Sequence, residues 1–152
     1  MNKLYRRCEE LSTEENIQKA MGTWVWSLAP WQVFSTMTFK WEASQDSVRR
    51  CYEKFMRAEL PWVSYFYAIE QNPSRDGHHV HAIWCDCEHS KRRDIWRDWF
   101  AQYGRARIEP VRGQDDVALY VAKYVTKGNA WWDLRLMGTR HPAQRELDLV
   151  AG

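Results

Sequence analysis

The chain has 152 residues, with 22 Lys and Arg against 20 Asp and Glu, for a formal net charge of +2. That length suits one domain, residues 1–152, and excludes a fused motor or any large multi-domain enzyme. At 45% hydrophobic and 28% charged, the composition is that of a soluble globular chain and not a disordered one. The small positive charge does not by itself point to a nucleic acid. Ten tryptophans imply either an aromatic core or exposed stacking surfaces. The first fifteen residues, MNKLYRRCEELSTEE, hold no apolar run, so no secretory signal is expected. No stretch approaches the roughly 20 apolar residues of a membrane span. Cys8, Cys51, Cys85 and Cys87 are therefore read as reduced thiols in a cytoplasmic setting.

In chain order, Ser12-Thr13-Glu14-Glu15 has the pattern of a capping box, which predicts a short helix from Ser12 to a C-cap near Gly22. Residues 31–41 are β-branched and aromatic without helical period, so a strand is expected. Ser44 caps a helix that stops before Pro61, with Val48, Cys51, Tyr52, Phe55 and Leu60 on one stripe. Residues 62–70 and 78–87 read as two strands joined by the turn formers 72–77, hence a hairpin. Ser90 opens a helix to Gly104 that buries Ile95, Trp96, Trp99, Phe100 and Tyr103. Residues 105–112 read as a fourth strand, placed at an edge by Pro110. Asp115 or Asp116 caps a last helix through Lys127, ended by Gly128, and the tail from 129 has no clear pattern. Helix followed by β-α-β-β-α-β-α predicts an α+β fold. Its core is a ferredoxin-like split βαβ, an antiparallel sheet of four to five strands with flanking helices.

Two constellations carry chemistry. On a strand, His79 and His81 point to one face, and Glu70 ends the partner strand of the hairpin. Two imidazoles and a carboxylate can hold one divalent ion with coordination positions left open; this donor set suits Mn²⁺, or Mg²⁺ when substrate oxygens complete the shell. On the last helix, Tyr120 and Tyr124 lie one turn apart, with Lys123 and Lys127 repeating on the adjoining face. Taken alone, the first is also what a polar strand surface displays, and the second what an amphipathic helix displays. Together they make a phosphotransfer centre. A phenol with an ordinary pKa of about 10 is made nucleophilic by neighbouring positive charge.

These residues resemble a known family. Phe34-Ser35-Thr36-Met37-Thr38-Phe39, then His79-Val80-His81, then Tyr120-x-x-Lys123-Tyr124-x-x-Lys127 look like the three ordered motifs of HUH endonucleases. They are most similar to the two-tyrosine rolling-circle replication initiators of single-stranded DNA phages, viruses and small plasmids. The motifs span residues 34–127. The resemblance implies site-specific nicking and rejoining of single-stranded DNA at an origin or hairpin, with a tyrosine joined to the 5′ phosphate and a 3′ hydroxyl left for a polymerase. It makes His79 and His81 metal ligands, with Glu70 the third, and Tyr120 the first nucleophile. Tyr124 becomes the second tyrosine, and Lys123 a cation near the scissile phosphate or metal. His78 is the competing choice for a ligand, but only His79 and His81 alternate with an apolar residue. Lys127, Arg105 and Arg107 are candidate DNA-binding cations. With no room for a helicase domain, a separate host helicase is implied. One-tyrosine chemistry on Tyr120 alone, a transposase or relaxase, and a non-catalytic single-stranded nucleic-acid-binding module are the other readings.

Cys85-Asp86-Cys87 with His89 lacks the spacing of common zinc sites, and both cysteines are expected to continue the face of His79 and His81. Lys91, Arg92, Arg93 and Arg97, with Arg105 and Arg107, make a local positive excess that suits either phosphates or a solvated helix face. Trp131 and Trp132 are expected to pack the tail against the core, and Trp24, Trp26 and Trp31 to be core. Thr36 and Thr38 are expected to face the site, opposite Met37 and Phe39, without a catalytic role.

Overall fold

A computed structural model describes residues 3–87, 90–125 and 130–137. Its elements are α1 (Lys3–Leu28), β1 (Val33–Met37), α2 (Gln45–Glu59), β2 (Ser64–Gln71), β3 (His78–Cys85), α3 (Arg92–Gln102), β4 (Ala106–Pro110), α4 (Gln114–Val125) and β5 (Trp131–Arg135). The strands form one antiparallel sheet in the order β4-β1-β3-β2-β5. β3 lies between β1 and β2, and β1 between β3 and β4, which is the split βαβ arrangement expected from the element order. The fold is α+β, with helices on both faces of the sheet.

Strand alternation divides the core in two. On one face Tyr65, Tyr67 and Ile69 of β2 and Val80, Ala82 and Trp84 of β3 pack against α2 and α3. The Trp84 indole N–H donates to Tyr52 Oη at 2.8 Å, so a deeply buried polar group is satisfied. On the other face Phe66, Ile83 and Cys85 meet Val25 of α1 and Val117 and Val121 of α4. α2 follows its sequence: Ser44 caps it by accepting from the Ser47 N–H at 3.2 Å, and Val48, Tyr52, Phe55 and Met56 are buried. Each such side chain contributes about 1.5–3 kcal/mol on leaving water.

Several boundaries differ from the sequence reading, each for a tertiary reason. α1 does not begin at Ser12 or end at Gly22; it runs from Lys3 to Leu28. Gly22 is there because α4 crosses closely, and a Cβ at that position would come within 2.8 Å of Ala118. Ser90 is not the cap of α3: Lys91 is, with no side-chain hydrogen bond. Asp115 and Asp116 lie in the first turn of α4, where they oppose its positive end; its expected end at Lys127 and Gly128 lies outside the described residues. β3 stops at Cys85. Asp86 takes φ 61°, which breaks the alternation, so Cys85 stays on the His79 and His81 face while Cys87 packs against the opposite core. Trp24, Trp96 and Phe100 are exposed and not core. Trp31 is buried, its N–H donating to Val25 O, and Trp26 packs at the core margin.

β4 is an edge strand, as Pro110 implies. β5 was not expected as a strand. It pairs with β2, placing Trp132 on Phe66 and Trp131 on Tyr67 with ring centroids 5.5 and 5.3 Å apart. Both tryptophans therefore pack against the core, as their position predicts. Among the described residues no helix is long and apolar enough to cross a membrane.

Candidate metal and tyrosine site

The register of β2 with β3 pairs Glu70 directly with His79, and the two-residue period brings His81 to the same face. The Nε2 atoms of His79 and His81 are 2.8 Å apart, and Glu70 Oε2 lies 3.2 Å from His81 Nε2 and 3.7 Å from His79 Nε2. This trio is the one His, Cys, Asp or Glu cluster with metal-ligand spacing among the described residues.

The ring orientations are fixed from behind. His79 Nδ1 is 2.8 Å from Asn72 Oδ1, and His81 Nδ1 is 3.2 Å from Thr36 Oγ1. An amide oxygen only accepts, so His79 carries its proton on Nδ1 and turns an Nε2 lone pair into the cluster. His81, donating to the Thr36 hydroxyl, does the same. Two lone pairs that close repel unless a proton or a cation lies between them. Burial first, and the neighbouring His79 next, lower the His81 pKa to about 4, and burial lowers that of His79, so protonation is the poorer remedy. A divalent ion fits. Two nitrogens at right angles and about 2.1 Å from one ion lie about 3 Å apart.

α4 closes over this corner. Tyr124 is buried, and its ring stacks on His81 at 5.3 Å and 26°. Lys123 Nζ donates to Tyr124 Oη at 3.2 Å and sits 3.5 Å from Glu70 Oε2. Tyr120, one turn earlier, lies 5.1 Å from the Tyr124 ring, 6.3 Å from His81 and 5.1 Å from Phe34. Its hydroxyl is buried and has no hydrogen-bond partner. Burial raises the pKa of both phenols, and for Tyr124 the Glu70 carboxylate adds to the rise, so both are protonated at rest. A cleft of about 450 Å³ opens beside them, lined by Thr36, His81, Glu109, Tyr120, Lys123 and Tyr124.

Sequence reasoning therefore named residues that do assemble: Glu70, His79, His81, Tyr120, Lys123 and Tyr124. Arg105 and Arg107 are exposed on edge strand β4, outside this cluster. Arg107 is in register with Thr36 and forms a 2.7 Å ion pair with Glu109, so it rims the cleft. Lys127 and His89 lie outside the described residues. His78 points to the other face and bonds Ala43 O at 2.9 Å. Thr36 faces the site as expected. Thr38 does not; its hydroxyl bonds Arg105 O at 3.2 Å.

Asn72 was read only as a turn former. Its N–H bonds Gly77 O and its side-chain amide donates to Asp76 O, which holds Oδ1 toward His79. Its position one residue past the Gln71–His78 pair was the available signal.

No curated protein and no solved structure matches the chain. A family model does, over residues 32–129, which take in every element from β1 to α4 and every residue of the site. The chain belongs to the replication-associated protein ORF2 family.

Proposed function

We propose that the protein is a metal-dependent HUH endonuclease of the two-tyrosine class. In this reading it nicks single-stranded DNA at an origin or hairpin and transfers the strand, initiating and terminating rolling-circle replication in the host cytoplasm. The observation that carries this reading is the convergence of the His79, His81 and Glu70 ligand atoms with two tyrosines and a lysine at one cleft.

Glu70, His79 and His81 would hold Mg²⁺ or Mn²⁺, which when bound supplies Lewis-acid polarisation of a phosphodiester. The Tyr120 hydroxyl has no protein partner, which suits a group whose partner is the substrate. Its oxygen bonds to phosphorus as the bond from phosphorus to the 3′ oxygen breaks. The phenol gives up a proton and the departing 3′ oxygen gains one, leaving a 5′-phosphotyrosine and a 3′ hydroxyl. Lys123 offsets negative charge on the phosphate and orients Tyr124. Tyr124 serves the second transfer, and a later 3′ hydroxyl reverses the linkage. Phe34 holds the Tyr120 ring in place, and the walls of the cleft exclude water from the phosphotyrosine. A separate helicase and polymerase from the host would open and extend the strand.

The test is cleavage of a labelled single-stranded DNA pool with Mn²⁺ and with chelator. Metal-dependent nicking supports the reading. DNA binding without cleavage under any divalent ion, with candidate hairpins included, would replace it with a non-catalytic binding module.

A further inference from the structure

The outer face of α3 carries an aromatic and cationic strip that the site does not use. Trp96 and Phe100 are 44% and 40% exposed and stack with centroids 5.0 Å apart and planes 10° from parallel. Lys40 Nζ covers Phe100 at 4.7 Å to the ring centroid. The order is thus Lys40, Phe100, Trp96, and then open space: Trp96 has no other ring or cation partner among the described residues. Arg92 and Arg93 lie one turn upstream on the same face. Both are exposed and neither has a carboxylate partner among the described residues. The nearby carboxylates Asp94 and Asp98 are engaged by Arg97.

Charge also concentrates here. Residues 91–107 hold six cations and two carboxylates in a chain whose whole net charge is +2. The strip is continuous with the cleft. Lys40 N–H bonds Tyr103 O at the end of α3, and Thr38 N–H bonds Arg105 O beside β4. Arg107, at the rim of the cleft, stands on the same edge strand.

We propose that this face of α3 is a second contact surface for single-stranded DNA. A base stacks on the open face of Trp96, Arg92 and Arg93 meet the adjoining phosphates, and the strand reaches the cleft across the β4 edge. Sequence-tolerant stacking on an aromatic flanked by cations is the chemistry of single-stranded nucleic-acid surfaces. The identity of the ligand rests on the function proposed above, whereas the surface itself is new.

The experiment measures fluorescence anisotropy of the full chain with labelled oligo-dT of about 6 and about 20 nucleotides, lengths that fill the cleft alone or also reach α3. Trp96→Ala is expected to weaken the longer oligonucleotide about tenfold and leave the shorter one unchanged, with Trp96→Phe restoring most of the loss. Arg92→Gln with Arg93→Gln is expected to reduce the salt slope for the longer oligonucleotide by about 1.4. Equal affinity of wild type and Trp96→Ala for the longer oligonucleotide overturns the surface while leaving the cleft reading intact. So does a change of oligomeric state in light scattering without a change in DNA binding, because the patch then joins copies of the chain. Failure of wild type to bind either oligonucleotide overturns both readings.

Discussion

The Nε2 atoms of His79 and His81 lie 2.8 Å apart on neighbouring same-face positions of one strand. Nothing in strand geometry requires this closeness, since each ring can rotate away. Asn72 and Thr36 hold the rings from behind, and Glu70 faces them across the ladder. The arrangement stores a repulsion that a bound cation relieves, so the ligands are organised before the ion arrives.

Loss of either imidazole removes a ligand outright. His79→Ala and His81→Ala should each weaken Mn²⁺ binding by more than the roughly 10–100-fold typical of losing an outer partner. Isothermal titration checks this, and wild-type affinity in either variant would remove that residue from the metal site.

Asn72 acts one step further out. Asn72→Ala should weaken Mn²⁺ binding about 10–100-fold, because the His79 ring loses the acceptor that fixes its tautomer. Asn72→Asp keeps an acceptor oxygen and should retain more of the affinity. Identical affinities for the two variants would mean that Asn72 serves only the turn.

The Tyr120 hydroxyl separates stability from activity. It is buried without a partner, so Tyr120→Phe should leave the fold intact or stabilise it by about 1 kcal/mol. The same variant should lose covalent joining to DNA. A drop in melting temperature would show that the hydroxyl is bonded within the protein.

Gly104 tests the junction of α3, β4 and β1. A Cβ there would overlap the Thr38 carbonyl, and neither backbone can yield without breaking the bonds of Thr38 and Lys40 to Arg105 and Tyr103. Gly104→Ala should cost about 1–3 kcal/mol, read as a lower urea midpoint with unchanged slope. An unchanged midpoint would mean that the junction is loose.

The metal ligands were legible because a strand has a period of two, and because a hairpin fixes its register once its turn is recognised. The tyrosine helix was legible from its i, i+4 spacing. What the sequence hid depends on the surroundings of each residue. Both Trp131 and Trp132 of β5 bury against aromatic partners on β2, so no polar alternation marks that strand. Trp96 and Phe100 share the helix with Ile95 and Trp99 but lie about 100° round from them, and only the latter pair meets the core. The capping-box pattern at Ser12 is local, and the longer α1 overrides it. Gly22 looks like a helix end in one dimension and is a crossing point in three. Asn72 reads as a turn residue, because its second task depends on where the turn aims its amide.

The most direct test of the central claim is mass spectrometry of protein incubated with single-stranded DNA carrying the nick site found in the cleavage assay, in the presence of Mn²⁺. The expected result is a nucleotide adduct on Tyr120, absent in Tyr120→Phe, with Tyr124 labelled when a second transfer is allowed. Cleaved DNA with no protein adduct, or an adduct on a residue outside α4, would contradict tyrosine-mediated strand transfer at this cleft.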